Sequence, residues 1–101
     1  MNAELGIVIL DQAGNTIYHA ISPKIPGSVV KEAVLLGYDI YRVIAGITGE
    51  LGYSLPKSVS VKMSEYEIII LKRGNRVVIA LIYENPAEAL ASKKELAIAN
   101  A

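Results

Sequence analysis

The sequence has no cysteine, no tryptophan and no phenylalanine, and it carries a single histidine. Without cysteine, a disulfide framework, a thiolate zinc site, an iron–sulfur cluster and a thiol nucleophile are all excluded. One histidine leaves no multi-histidine metal site within one chain. A charge surplus is missing as well: ten Lys+Arg balance ten Asp+Glu. With no basic excess there are few counterions to release on a phosphate backbone, which argues against a nucleic-acid partner. Long hydrophobic runs are also absent. The best candidate, Tyr66 to Tyr83, is broken by Lys72, Arg73, Gly74, Asn75 and Arg76, well short of the roughly 18 uninterrupted apolar residues of a membrane span. Met1-Asn-Ala-Glu4 leads into an apolar segment without a basic n-region or a small-residue cleavage site. The expectation is a cytoplasmic protein with no membrane partner, no cofactor and no metal.

What is present is apolar surface. Hydrophobic residues make up 52% of 101 residues, enough to offset chain entropy and exclude disorder as the main state. The length fits one domain, 1–101. A domain of this size buries only about 60–65% of its unfolded surface, so a chain this apolar should keep hydrophobic surface for a partner.

Leu5-Gly-Ile-Val-Ile-Leu10 is apolar nearly throughout, as in a strand covered on both faces. Asp11 to Asn15 supplies turn chemistry, and Thr16–Ile21 follows as the second strand of a hairpin. After a loop with Pro23 and Pro26, Ser28 is the expected N-cap of a helix from Val29 to about Leu51. Gly49 and Gly52 are its candidate stop residues. Three strands come next. Ser58–Met63 alternates, with Val59, Val61 and Met63 on one face; Glu67–Leu71 and Val77–Tyr83 do not alternate and flank Gly74-Asn75, a type II′ hairpin signal. Asn85-Pro86-Ala-Glu88 reads as a capping box opening a second helix, Pro86 to about Ala99, as a light cover for the sheet.

The fold class is therefore α+β, β-β-α-β-β-β-α. Doubly buried strands belong in the middle and hairpin partners lie side by side, which leaves a five-stranded antiparallel sheet of order 2-1-5-4-3 with the long helix as crossover. On that helix, Lys31, Glu32, Asp39, Arg42, Gly49 and Glu50 occupy an arc of roughly 100°, and the remaining 220° or so is apolar or small. One sheet needs about half that width. The aliphatic part, Val29, Ala33, Leu36, Ile40, Val43, Ile44 and Ile47, is assigned to the chain's own sheet. The other part, Val30, Val34, Gly37, Tyr38, Tyr41, Ala45 and Thr48, is read as a docking surface for the same helix of a second copy; the alternative cover is the C-terminal helix. The short third strand, through Val59 and Val61, either continues the sheet across a dimer or is an ordinary edge.

Gly6-Ile-Val-Ile-Leu-Asp11 with Gly14-Asn-Thr-Ile17, and Glu67–Leu71, Gly74-Asn75 and Val77–Tyr83 followed by Asn85-Pro86, resemble the first and last hairpins of the roadblock / dynein light chain domain family. The resemblance spans about residues 5–100. It implies a homodimer, or a heterodimer with a roadblock paralogue, built on a ten-stranded sheet with paired long helices. It implies a platform or regulator for a Ras-like small GTPase, or a scaffold subunit, and no catalytic residues. Longin and profilin-like domains share the same core.

No other motif carries chemistry. His19 sits in a strand without a convergent nucleophile. Gly46 to Gly52 lies at a helix C-terminus, where the dipole repels phosphate, and lacks the Gly-Lys-Ser/Thr ending. Lys72–Arg76 is a charged hairpin tip, and Glu65 and Glu67 read as solvated. The expected function is a non-enzymatic dimeric interaction module, with Arg42 and Asp39 on the exposed helix arc as the partner-binding candidates and Arg42 the first candidate for an arginine finger. The alternative is a small-molecule sensor on a longin- or profilin-like core, which requires a closed apolar pocket.

Overall fold

A computed structural model describes residues 3–84. They form β1 (Ala3–Leu10), β2 (Thr16–Ile21), α1 (Gly27–Glu50), β3 (Val59–Lys62), β4 (Tyr66–Arg73) and β5 (Arg76–Glu84). The sheet is antiparallel with the order β2-β1-β5-β4-β3, as the hairpin argument requires. The expected second helix, Pro86 to Ala99, falls outside the described residues.

Period-2 burial shows where the core sits. Val8 and Leu10 of β1, Tyr66, Ile68 and Ile70 of β4, and Val77, Ile79, Leu81 and Tyr83 of β5 all point to the face that carries α1, and all are buried. Cross-strand pairs such as Val8↔Ile79 and Ile70↔Ile79 bring them into one layer. The intervening residues Ile7, Ile9, Ile69, Leu71, Val78 and Ile82 face the other way and are half-buried, while Leu5 is exposed. This second face is apolar too, which is why these strands show no alternation in sequence.

Three turns follow their local chemistry. The Asp11 carboxylate accepts the Ala13 and Asn15 backbone N–H groups at 3.0 and 2.8 Å and the Asn15 amide at 3.2 Å. These bonds, that from the Asn15 backbone first, hold the Asp11 carboxyl below its ordinary value. At the tip of β4–β5, Gly74 has φ +58° and Asn75 is not in the left-handed region, the pattern of a II′ turn. The helix end is a Schellman motif. Gly52 has φ +74°, its N–H reaches the Gly49 carbonyl at 3.2 Å, and the Tyr53 N–H reaches that of Thr48 at 2.8 Å.

The helix start differs from expectation. α1 begins at Gly27, Pro26 is the N-cap, and Ser28 makes no capping bond. Pro26 has φ −58° and its carbonyl accepts the N–H groups of Val29 and Val30 at 3.0 and 3.2 Å. The ring fixes φ near a helical value, so no side-chain cap is needed to set the entry angle.

Candidate functional site

The side of α1 that meets the sheet is set by two small residues one turn apart. Ala33 and Gly37 are the buried residues of the helix. At Gly37 the backbone comes so close to the sheet that a Cβ would stand 2.9 Å from Ile79 Cδ1 and 3.5 Å from Ile68 Cδ1. Val30, Val34 and Tyr41 lie on one side of this line and Val29, Leu36 and Ile40 on the other, all half-buried and packed on the core. This reverses part of the sequence-based assignment. Val30, Val34, Gly37 and Tyr41, expected to face a second copy, lie on the chain's own sheet, with Gly37 at the point of closest approach.

Tyr38 also has an internal role. Its hydroxyl donates to the Gln12 carbonyl at 2.7 Å. Its ring closes over Gly14, where φ is +91° and a Cβ would meet the ring at 2.9 Å. Tyr38 therefore braces the β1–β2 turn against the helix. The Tyr41 ring stacks beside it with centroids 6.5 Å apart, and the Arg42 guanidinium lies 5.8 Å from the centroid of the Tyr38 ring. Ala45 and Thr48 are half-buried, and the Thr48 hydroxyl is turned back onto the Ile44 carbonyl at 2.8 Å.

The unused apolar circumference is on the other flank. Val43 is 60% exposed and Ile47 51%, whereas Val29, Leu36 and Ile40 on the same flank are half-buried against the core. The sequence pattern assigns all five to the sheet. Three of the five, Val29, Leu36 and Ile40, do pack on the core, as does Ala33, which the pattern assigns with them; the exposed excess is Val43 and Ile47.

A hydrogen bond and a crevice show where α1 meets β4 and β3. Glu32 of α1 accepts the Tyr66 hydroxyl of β4 at 2.7 Å. Burial, then this bond and the Glu32 charge, push the Tyr66 phenol up to about 12. A narrow crevice lined by Tyr41, Ile44, Leu55, Pro56 and Val59 runs between α1 and β3. Val59 and Val61 stand on the helix side of β3, half-buried, paired with Ile70 and Ile68. Among the described residues β3 pairs only with β4. Glu32 and the crevice thus place α1 beside β4 and β3, and the outer edge of β3 is unpaired among the described residues. Asp39 and Arg42 are exposed on the helix surface turned away from the sheet.

At the opposite edge an open groove of about 570 Å³ separates β2 from the N-terminal half of α1. Neither it nor the narrow crevice is the closed apolar chamber that a small-molecule sensor requires. Among the described residues no three His, Cys, Asp or Glu side chains are placed to hold a metal ion, and no helix is long and apolar enough to cross a membrane.

A roadblock domain and MglB proteins are among the solved structures with the same arrangement. A Roadblock/LC7 domain from Streptomyces avermitilis superposes with a TM-score of 0.62 at 12% identity, covering 92% of this chain and 78% of that one. The fold is that of a roadblock/LC7 domain. MglB of Myxococcus xanthus gives 0.59 at 16% identity over 79% of this chain and 63% of that one. The gliding protein MglB of Thermus thermophilus gives 0.58 at 13% identity over 78% and 59%. The chain spans about three fifths of the MglB chains it matches. No protein-family model and no curated protein matches the sequence. Sequence reasoning placed Ala33 on the sheet and missed Gly37, which its four-residue spacing from Ala33 marks.

Proposed function

We propose that this roadblock-like chain is a non-enzymatic, dimeric interaction module that binds or regulates a Ras-like small GTPase in the cytoplasm. Two observations carry the dimer: Val43 and Ile47 are exposed on α1, and β3 leaves its outer side unpaired among the described residues. Two copies related by a two-fold axis along that side would pair their β3 strands and cover their aliphatic flanks together, an isologous contact. Val59 and Val61 would lie at its centre, with Val29, Leu36 and Ile40 beside them. A paralogue with the same edge could replace the second copy.

The GTPase partner follows from the family resemblance. On this chain the surface available to it is the outer side of α1, where Asp39 and Arg42 project. Arg42 is held near the Tyr38 ring, which limits its freedom and lowers the entropy lost when it meets an anionic partner. Any effect on hydrolysis would come through the GTPase's own residues, oriented by this surface, or through Arg42 placed against the developing charge.

The test is retention of candidate small GTPases on the immobilised chain in GDP-bound and GTP-analogue-bound forms, with turnover measured alongside. Binding that depends on nucleotide state and weakens in Arg42→Ala and Asp39→Ala supports the assignment. A lack of retention in every nucleotide state overturns the partner and leaves the dimer to be decided by mass.

A further inference from the structure

The other sheet edge has features of its own. β2 (Thr16–Ile21) pairs only with β1 among the described residues, and five of its six residues are exposed. Natural edge strands are usually guarded by Lys, a charged inward residue or Pro; Thr-Ile-Tyr-His-Ala-Ile has none of these. The Ser22 N–H donates inward to the Leu5 carbonyl at 3.1 Å. In an antiparallel ladder such inward residues alternate with outward ones. Through the pairs Gly6↔Ile21 and Val8↔His19, the backbone groups of Ile21 and His19 therefore point away from the sheet.

Beside this bare edge lies the open groove of about 570 Å³. Ile21, Ile25, Val30, Val34 and Leu35 form its apolar wall, and Leu35 is 59% exposed although it lies among the charged residues of α1. Lys31 and His19 are its titratable residues, and no carboxylate lines it among the described residues. The α1 N-terminus opens onto its end at Gly27, and the first turn of α1 holds no acidic residue. An exposed strand edge, an adjoining apolar trough and Lys31 in its lining, with the nearby Glu4 carboxylate already engaged by Ser22 at 2.6 Å and Lys24 at 3.7 Å, suit one kind of occupant.

We propose that β2 and the adjoining groove form a second docking site that takes an extended protein segment with alternating apolar and acidic residues. The segment adds a sixth strand through the His19 and Ile21 backbone groups. Its apolar side chains enter between Ile21 and Val34, and an acidic side chain reaches Lys31. The site lies across the sheet from the β3 edge, so it remains open in the dimer and is independent of the GTPase reading.

The experiment uses the full chain and a short fluorescein-labelled peptide alternating Val and Glu, with its Val/Lys counterpart as the second probe. Anisotropy should show the acidic peptide binding about fivefold or more tightly. Amide exchange should slow at His19 and Ile21 on binding. Lys31→Glu, an exposed helix position, should abolish or invert the preference between the peptides. His19→Pro, tolerated on an edge where the N–H faces outward, should weaken both. If neither peptide binds, if the preference is unmoved by Lys31→Glu, or if the His19 and Ile21 amides stay unprotected, the proposal fails. A fall in sedimenting mass on Lys31→Glu would place a second copy at this edge and also overturn it.

Discussion

Gly37 and Ile79 are in contact across the helix–sheet interface, with no room at Gly37 for a side chain: a Cβ there would stand 2.9 Å from Ile79 Cδ1, and Ile79 is 1% exposed. Two effects oppose each other in Gly37→Ala. Alanine favours the helix by about 1 kcal/mol, and overpacking a closed core costs about 1–3 kcal/mol. The clash should win narrowly. Removing the obstructing methyl should reverse the sign. Ile79→Val alone should lose about 1 kcal/mol, and Gly37→Ala with Ile79→Val should be more stable than the sum of the singles. Urea midpoints of the four proteins measure the coupling; strict additivity would show that the helix does not approach this closely.

The same contact explains what the sequence does and does not reveal. Strand order is legible because β1, β4 and β5 carry long apolar runs, and because Gly14 and Gly74 mark the hairpins that fix neighbours. The orientation of α1 is not, since an apolar arc of roughly 220° has no polar residue to mark its middle. Bulk suggests that Val43 and Ile47 face inward with Leu36 and Ile40, yet only Leu36 and Ile40 pack on the core and Val43 and Ile47 are exposed. Packing follows distance of approach instead, and Ala33 with Gly37 define it. The start of α1 escapes the pattern for a related reason: Ser28 is the better capping side chain, but Pro26 already fixes the backbone.

The corrected orientation changes which substitutions should affect mass and which stability. Val43→Asp and Ile47→Asp place a charge on the exposed flank and should halve the sedimenting mass with a melting temperature lowered only through lost assembly. Tyr41→Asp places one against the core beside Ile44 and should destabilise the fold itself by about 3 kcal/mol or more. A chain that stays monomeric in wild type and in Val43→Asp alike would remove the dimer.

Tyr66 ties β4 to α1 through Glu32, and its stability contribution carries a sign. The phenol is raised from the ordinary 10.0 to about 12. The unfolded chain releases this proton first, so the contribution is complete below pH 10 and is lost as pH rises towards 12. Wild type should therefore lose stability over that interval. Tyr66→Phe should be about 1 kcal/mol less stable at neutral pH, from the lost hydrogen bond, and should show a flatter decline at higher, alkaline pH. Thermal melts of both proteins across the alkaline range provide the comparison. Parallel curves would mean that Tyr66 does not carry the effect.

At the acid end the corresponding group is Asp11. Its carboxylate gathers the Asn15 backbone N–H, the Asn15 amide and the Ala13 N–H, and its carboxyl is lowered from 3.8 by those bonds, led by the one from the Asn15 backbone. A lowered native value means that the unfolded chain takes up the proton first as pH falls. The turn therefore contributes fully above the ordinary carboxylate range and loses its contribution as pH drops through the native value. Asp11→Ala should be less stable than wild type at neutral pH, and the two should converge in acid. The loss should reach α1, because Tyr38 rests on this turn through Gln12 and Gly14. Amide exchange at Tyr38 and its neighbours should quicken in Asp11→Ala before the β4–β5 amides respond; uniform quickening across both regions would show that the turn and the helix are not coupled in this way.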